Sequence, residues 1–358
     1  MATDEKRALA LLKELNDANG VSGNEGEVAA LMEKHLAPIT DERYTDLLGN
    51  AVFIKKGKNP DLKIMLAAHM DEIGFMVLDA TKNGYVTVVP VGFHDPNILV
   101  NQYLTILTDD GPVYGVIGAG KPVHQTHGDA PKPFAFKDIA VDVGAKTGEE
   151  VAAMGIRPGD FAVIEKESRM IGENLFCGKA VDNRSGCAAL ILAMEELSKV
   201  TTDATVYACG TVQEEVGLKG ADVLVRGIDP QYALCLDVGF ATLDGKPDEK
   251  TSRMYLGDGP GIELYDWSPA DCTGNIVPKN VVRALEDAAK GIGLKHQYSL
   301  MLDGGTDAAV MTYANNGVLT GGLSIPQRYM HTTVGVIDIR DMIGAGSLTA
   351  AYVKGIVA

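Results

Sequence analysis

The run Ile64-Met65-Leu66-Ala67-Ala68 is apolar at every position and passes directly into His69-Met70-Asp71. A strand without polar alternation has both faces covered, so it demands packed layers on either side, which is the arrangement of an α/β sheet. The flanking pattern supplies such layers. Leu9, Leu12 and Leu15, then Val28, Leu31, Met32 and Leu36, recur at helical spacing and predict amphipathic helices over 5–19 and 24–37. Helical patterns return at 183–199, 278–290 and 338–357, interleaved with apolar strands at 204–209, 232–236 and 318–325. From about residue 73 to 165 the texture differs: Tyr85 to Val91, Tyr103 to Thr108, Val113 to Ile117 and Ile139 to Val143 are short β-branched runs separated by turn residues. The expected fold is an α/β domain, a mixed sheet with helices on both faces, formed by 1–72 and 166–358 and interrupted by an inserted small all-β domain at 73–165.

Charge and cysteine usage narrow the partners. With 48 acidic residues against 32 lysines and arginines, the net charge of -16 makes nucleic acid and anionic membranes unfavourable partners. The longest uncharged stretch, Ala308 to Gln327, contains Asn315, Asn316 and Pro326 and is unsuited to crossing a bilayer. The charged N-terminus lacks the apolar core of an export signal, so a cytoplasmic protein is expected. Cys177, Cys187, Cys209, Cys235 and Cys272 show no CxxC spacing and read as buried, reduced thiols.

In open α/β sheets, ligands collect beyond the carboxyl ends of the strands. Four such ends carry metal-ligand chemistry: His69 and Asp71 after the first strand, Glu214-Glu215 after the second, Asp237 after the third and His331 after the fourth. Asp182 stands just before a helix. Singly, each is the kind of residue that forms turns or a solvated face. Together, two imidazoles and several carboxylates at one sheet edge need cations, and mixed His/carboxylate ligation suits zinc and its neighbours. Two ions balance the charge if Asp182 bridges them, Glu215 and His331 hold one, and His69 and Asp237 hold the other. Such a pair, about 3.5–4 Å apart, generates a bridging hydroxide nucleophile near neutral pH. Glu214, beside a ligand but free, is then the general acid/base, and Asp71 orients the ring of His69.

The segments that carry these residues resemble the M42 family of metallo-aminopeptidases, which includes glutamyl aminopeptidases and tetrahedral archaeal peptidases. They read Ala67-Ala68-His69-Met70-Asp71-Glu72-Ile73-Gly74, Gly178-Lys179-Ala180-Val181-Asp182-Asn183, Thr211-Val212-Gln213-Glu214-Glu215-Val216-Gly217, Leu236-Asp237-Val238, Gly304-Gly305-Thr306-Asp307 and Ile325-Pro326-Gln327-Arg328-Tyr329-Met330-His331. The resemblance implies a two-metal exopeptidase, with Zn2+ foremost and Co2+ or Mn2+ acceptable, acting on peptides with free N-termini. It also implies a homo-oligomer, a dodecamer built from dimers through the β insertion. Gly335, Asp303 and the stretches 239–247 and 264–269 depart from the family pattern. His124 and His127 read as surface loop residues, with a role for His124 beside a neighbouring active site as the family's alternative.

Other readings use the same residues differently. A deacylase or carboxypeptidase would share the two-metal centre. A glycoside hydrolase would use a carboxylate pair and need neither His69 nor His331. A non-catalytic assembly would have no use for Glu214. No strand plus GxGxxG context signals a nucleotide site.

Overall fold

The computed structural model describes residues 3–118, 133–242, 254–270 and 272–357. His124 and His127 lie outside the described residues, as does most of the 239–247 stretch. Helices α1 (Thr3–Asp17) and α2 (Gly26–Leu36) lead into β1 (Glu42–Thr45), β2 (Ala51–Lys55) and the long β3 (Asn59–His69). Strand β3 is buried continuously from Ile64 onward, as an unalternating apolar run requires. Ile64, Met65 and Leu66 each contribute about 1.5–3 kcal/mol of burial free energy.

Strands β4 (Gly74–Ala80), β5 (Tyr85–Val91), β6 (Tyr103–Thr108), β7 (Gly111–Ile117), β8 (Ala140–Asp142) and β9 (Phe161–Ile164) close into a barrel in the order β4-β5-β8-β7-β6-β9, with helix α3 (Gly148–Ala153) at its side. Closure removes free strand edges. Phe75, Val77, Val86, Leu104, Ile106 and Val141 fill the interior and form a core of their own.

After the barrel the chain adds β10 (Arg169–Ile171), β11 (Leu175–Gly178), α4 (Val181–Leu197), β12 (Ala204–Thr211), α5 (Lys219–Ile228) and β13 (Tyr232–Phe240). Then come β14 (Gly261–Ser268), β15 (Thr273–Ile276), α6 (Lys279–Gly291), β16 (Gln297–Leu302), the short α7 (Ala308–Met311), β17 (Leu319–Arg328), β18 (Gly335–Asp338) and α8 (Ile339–Gly355). The main sheet runs β1-β2-β12-β3-β13-β17-β18-β11-β10. Its centre, β12-β3-β13-β17, is parallel and its flanks are antiparallel, so the sheet is mixed. One face packs under α1, α2, α4 and α8, the other under α5 and α7. Because the four central strands are parallel, their carboxyl ends share one edge.

A branch leaves this sheet. Strand β14 pairs antiparallel with β17, parallel with β16 and antiparallel with β15. The sequence pattern does not announce it, because β14 buries Glu263 and Asp266 where apolar residues would mark a strand. Helix α5 is likewise not marked by the sequence pattern. Of the cysteines, Cys187, Cys209 and Cys235 are buried and all five are free, but Cys177 is half-buried and Cys272 is exposed, which corrects the expectation for those two residues. The place of Cys272 in the turn between β14 and β15 explains its exposure.

Candidate metal centre

His69 is the last residue of β3, and only 2% of its surface is exposed. Its Nε2 lies 3.1 Å from Asp182 Oδ1, 3.7 Å from Asp237 Oδ1 and 3.9 Å from Glu214 Oε2. On the far side of Asp182, its other oxygen Oδ2 is 3.5 Å from His331 Nε2, and that nitrogen is 3.3 Å from Glu215 Oε2. Asp182 therefore stands between two imidazoles and offers one oxygen to each. Potential donor atoms of His69, Asp182 and Asp237 lie within 4.8 Å of one another, as do those of Asp182, Glu215 and His331. The structure thus brings all six residues, His69, Asp182, Glu214, Glu215, Asp237 and His331, to one end of a cleft of about 870 Å³.

Local backbone geometry delivers these side chains. Asp182 and Asn183 keep non-helical φ/ψ at the front of α4, and the peptide between them is cis. Asn183 holds the turn by donating to Leu236 O at 2.8 Å and accepting from the Gly186 N–H at 3.0 Å. Behind it, the fully buried Arg184 donates to Met70 O at 2.8 Å, Leu15 O at 2.7 Å and Gly20 O at 3.3 Å, and pairs with Glu72. Glu72 also receives Lys179 Nζ at 2.6 Å. This ionic cluster ties the α1–α2 loop, the end of β3 and the start of α4 together, and a buried cation of this kind is tolerated only because each N–H finds a partner.

Asp71 does more than sequence reasoning anticipated. Its carboxylate is 3.4 Å from His69 Nδ1, while the Asp71 carbonyl lies 3.2 Å from the same nitrogen. Both Asp71 oxygens also accept backbone N–H groups, Glu214 on Oδ1 at 3.1 Å and Glu215 on Oδ2 at 3.1 Å, with Ser22 Oγ donating to Oδ2 at 2.6 Å. One fully buried carboxylate therefore aims a histidine and fixes the turn that presents two glutamates. His331 is set similarly: its Nδ1 faces Phe93 O at 3.2 Å, and since a carbonyl can only accept, Nδ1 carries a proton, which leaves Nε2 as the nitrogen that would ligate once the ring is neutral. Phe93 belongs to the barrel segment, so the insertion helps position a residue of this cluster.

Gly335 has a packing reason. It pairs with Gly178 across β18 and β11. A Cβ there would run into Val181 Cγ2 and lie 2.9 Å from Gln327 Nε2, so a larger side chain would displace the residue preceding Asp182.

The electrostatics show what the cluster lacks. Burial raises the pKa of Glu215 to about 7, with Asp182 adding repulsion, and burial likewise holds Glu214 and Asp237 well above the usual carboxylate range. Burial opposes protonation of the histidines, yet the carboxylates win: His331 rises to about 9 beside Glu215 and Asp182, and His69 is pushed well above 6.5 by Glu214, Asp237 and Asp182. Four carboxylates face two imidazoles, and among the described lining residues there is no lysine or arginine. This excess of carboxylates is the charge that divalent cations neutralise. Mixed nitrogen and oxygen donors, with histidines pre-oriented by a second hydrogen bond, fit divalent ions.

Comparison with known proteins identifies a peptidase family. The M42 glutamyl aminopeptidase family model matches residues 49–348, and a short AMPT model matches 6–32. A lysyl aminopeptidase of Pyrococcus furiosus is 35% identical over 352 residues, covering 96% of each chain. An aminopeptidase from the archaeon Desulfurococcus kamchatkensis superposes with a TM-score of 0.92 at 36% identity, over 99% of this chain and 96% of that one. The TET1 peptidase of Pyrococcus horikoshii, described as assembling into a tetrahedron or a large octahedral shell, superposes with a TM-score of 0.85 at 29% identity, over 97% and 99% of the two chains.

Proposed function

The chain belongs to the M42 glutamyl aminopeptidase family, and from that premise we propose that it is a two-metal aminopeptidase removing the first residue of peptides with a free N-terminus. The observation that carries this reading is Asp182 lying between His69 and His331, with Asp237 and Glu215 completing a triad on either side. His69, Asp182 and Asp237 would hold one ion, and Asp182, Glu215 and His331 the other, Zn2+ foremost and Co2+ or Mn2+ acceptable. Two divalent ions supply Lewis acidity to the scissile carbonyl and ionise water near neutral pH.

The chain's own groups do the rest. Glu214 projects into the cleft without ligating in this scheme, and its raised pKa suits a group that takes a proton from the attacking water at Oε and returns it to the leaving amine. Asp71 keeps Glu214 and Glu215 in register by holding their N–H groups. A cleft bordered by carboxylates draws the ammonium of a free N-terminus inward, whereas an acetylated end offers no charge.

The barrel fits a role in assembly. Tyr103 and Tyr114 are 67% and 63% exposed on it. The two lie diagonally on one face of the β6/β7 pair, and a contiguous exposed apolar face is the kind of surface a partner covers. Residues 73–165 would serve both as assembly element and cleft border in a homo-oligomer, a dodecamer built from dimers. A cytoplasmic setting fits the five free thiols.

The test is amino-acid release from matched unblocked and N-acetylated peptides, after chelation and after re-addition of Zn2+, Co2+ or Mn2+. Chelator-sensitive cleavage confined to free N-termini is the expected result. Cleavage of acetylated substrates would instead identify a two-metal deacylase, and no cleavage with any metal would remove the enzymatic reading.

A further inference from the structure

Family membership leaves open which N-terminal side chain is preferred, since the family model is named for glutamyl and a relative for lysyl substrates. The cleft itself is more informative. Besides the metal cluster, it is lined by residues at the carboxyl ends of the parallel pair β14 and β16. Pro269, Ala270, Met301, Val238 and Phe240 are among the apolar residues that line it, with Ser268, Thr273 and Thr306 as neutral polar ones. At the rim stands Asp303, exposed and held in a left-handed conformation at φ 67° immediately after β16. The next residue anchors the turn, because the Gly304 N–H donates to Trp267 O at 3.2 Å. Asp303 carries no hydrogen bond or ion pair with the described residues. Among the described lining residues it is the only ionisable group outside the metal cluster.

An apolar wall ending in an uncommitted carboxylate matches a side chain with a long hydrocarbon stem and a cationic tip. Building on the aminopeptidase reading, we propose that Asp303 determines specificity and that the cleft selects peptides beginning with lysine or arginine. A glutamyl side chain would bring a like charge to the same rim, in a protein whose net charge is already -16.

The experiment compares Lys-Ala, norleucyl-Ala and Glu-Ala as substrates of the metal-loaded full chain. Lysine and norleucine share a stem and differ by the ammonium, so the ratio of their kcat/KM values isolates the contribution of the charge. At low salt the ratio should be about twofold to fivefold in favour of lysine, the upper part of the range for an exposed ion pair. It should fall toward one at molar salt. Asp303→Asn should bring it near one, and Asp303→Lys should place Glu-Ala above Lys-Ala. Competitive inhibition by lysine amide and norleucine amide should show the same ordering in binding alone. Asp303 is exposed and Asn tolerates its left-handed backbone, so Asp303→Asn keeps the fold, and the norleucyl-Ala rate reports any effect of placing Lys at φ 67°. The proposal is overturned if norleucyl-Ala is cleaved while the ratio stays within twofold across wild type and both variants. If no unblocked peptide is cleaved at all, the aminopeptidase reading fails first and this inference falls with it, a distinguishable result.

Discussion

Metal binding to the proposed centre should displace protons, and the structure sets how many. In the metal-free fold Glu215 titrates at about 7 and His331 at about 9, both above their ordinary values of 4.5 and 6.5. Ions bind deprotonated ligands, so at pH 6 this pair alone releases about two protons, and at pH 8 about one, because Glu215 has already ionised. Metal affinity then climbs by at least about a hundredfold per pH unit near pH 6 and at least about tenfold per unit near pH 8, and the raised His69 and Asp237 steepen it further. The sign also applies to stability. Both groups have raised pKa values, so their contribution to the metal-free fold is complete at low pH and is lost as pH rises through about 7 and then about 9. Metal-free protein should therefore melt at lower temperature as pH increases across that window, and metal-loaded protein should not follow it. Calorimetric titration with Zn2+ in buffers of low and high ionisation enthalpy counts the protons. Binding that releases none at either pH would refute the reasoning, because it would mean the ions bind elsewhere.

Replacing Glu214 by Gln removes the proton carrier while leaving the proposed ligands in place, so kcat should fall by about 10²–10⁴ with metal content unchanged by elemental analysis. Asp71→Asn turns an acceptor of three N–H or O–H donors into a mixed group, and metal affinity should drop about 10–100-fold in competition with a chromogenic chelator. Gly335→Ala forces Val181 to move and should cost about 1–3 kcal/mol in urea denaturation, with weakened metal binding because the displaced residue adjoins Asp182.

Much of the site was legible because polar residues interrupt apolar strands at their ends. The run Ile64 to Ala68 is unmistakable, and its termination at His69 matches the observed strand end. The strands before Glu214 and through Asp237 stand out likewise, although β13 extends to Phe240, well past the apolar core that marks it in sequence. What sequence could not show is convergence from elements that are polar where buried. Glu263 and Asp266 break the period of β14, so the branch that walls the cleft went unseen. Arg184 and Lys179 would ordinarily be placed on the surface by composition, yet they are buried against Glu72 and backbone carbonyls. The second duty of Asp71 was equally hidden, because a carboxylate accepting backbone N–H groups from a turn 143 residues away leaves no local signature. Gly335 looked like a departure until its neighbour Val181 was visible.

The central claim is that Asp182 lies between two metal ions. It is tested most directly by crystals grown with Zn2+ and measured on both sides of the zinc absorption edge. The account predicts two anomalous peaks flanking the Asp182 carboxylate, one next to His69 and Asp237, the other next to Glu215 and His331. A single peak, or peaks that leave Asp182 without an ion on either oxygen, would contradict it.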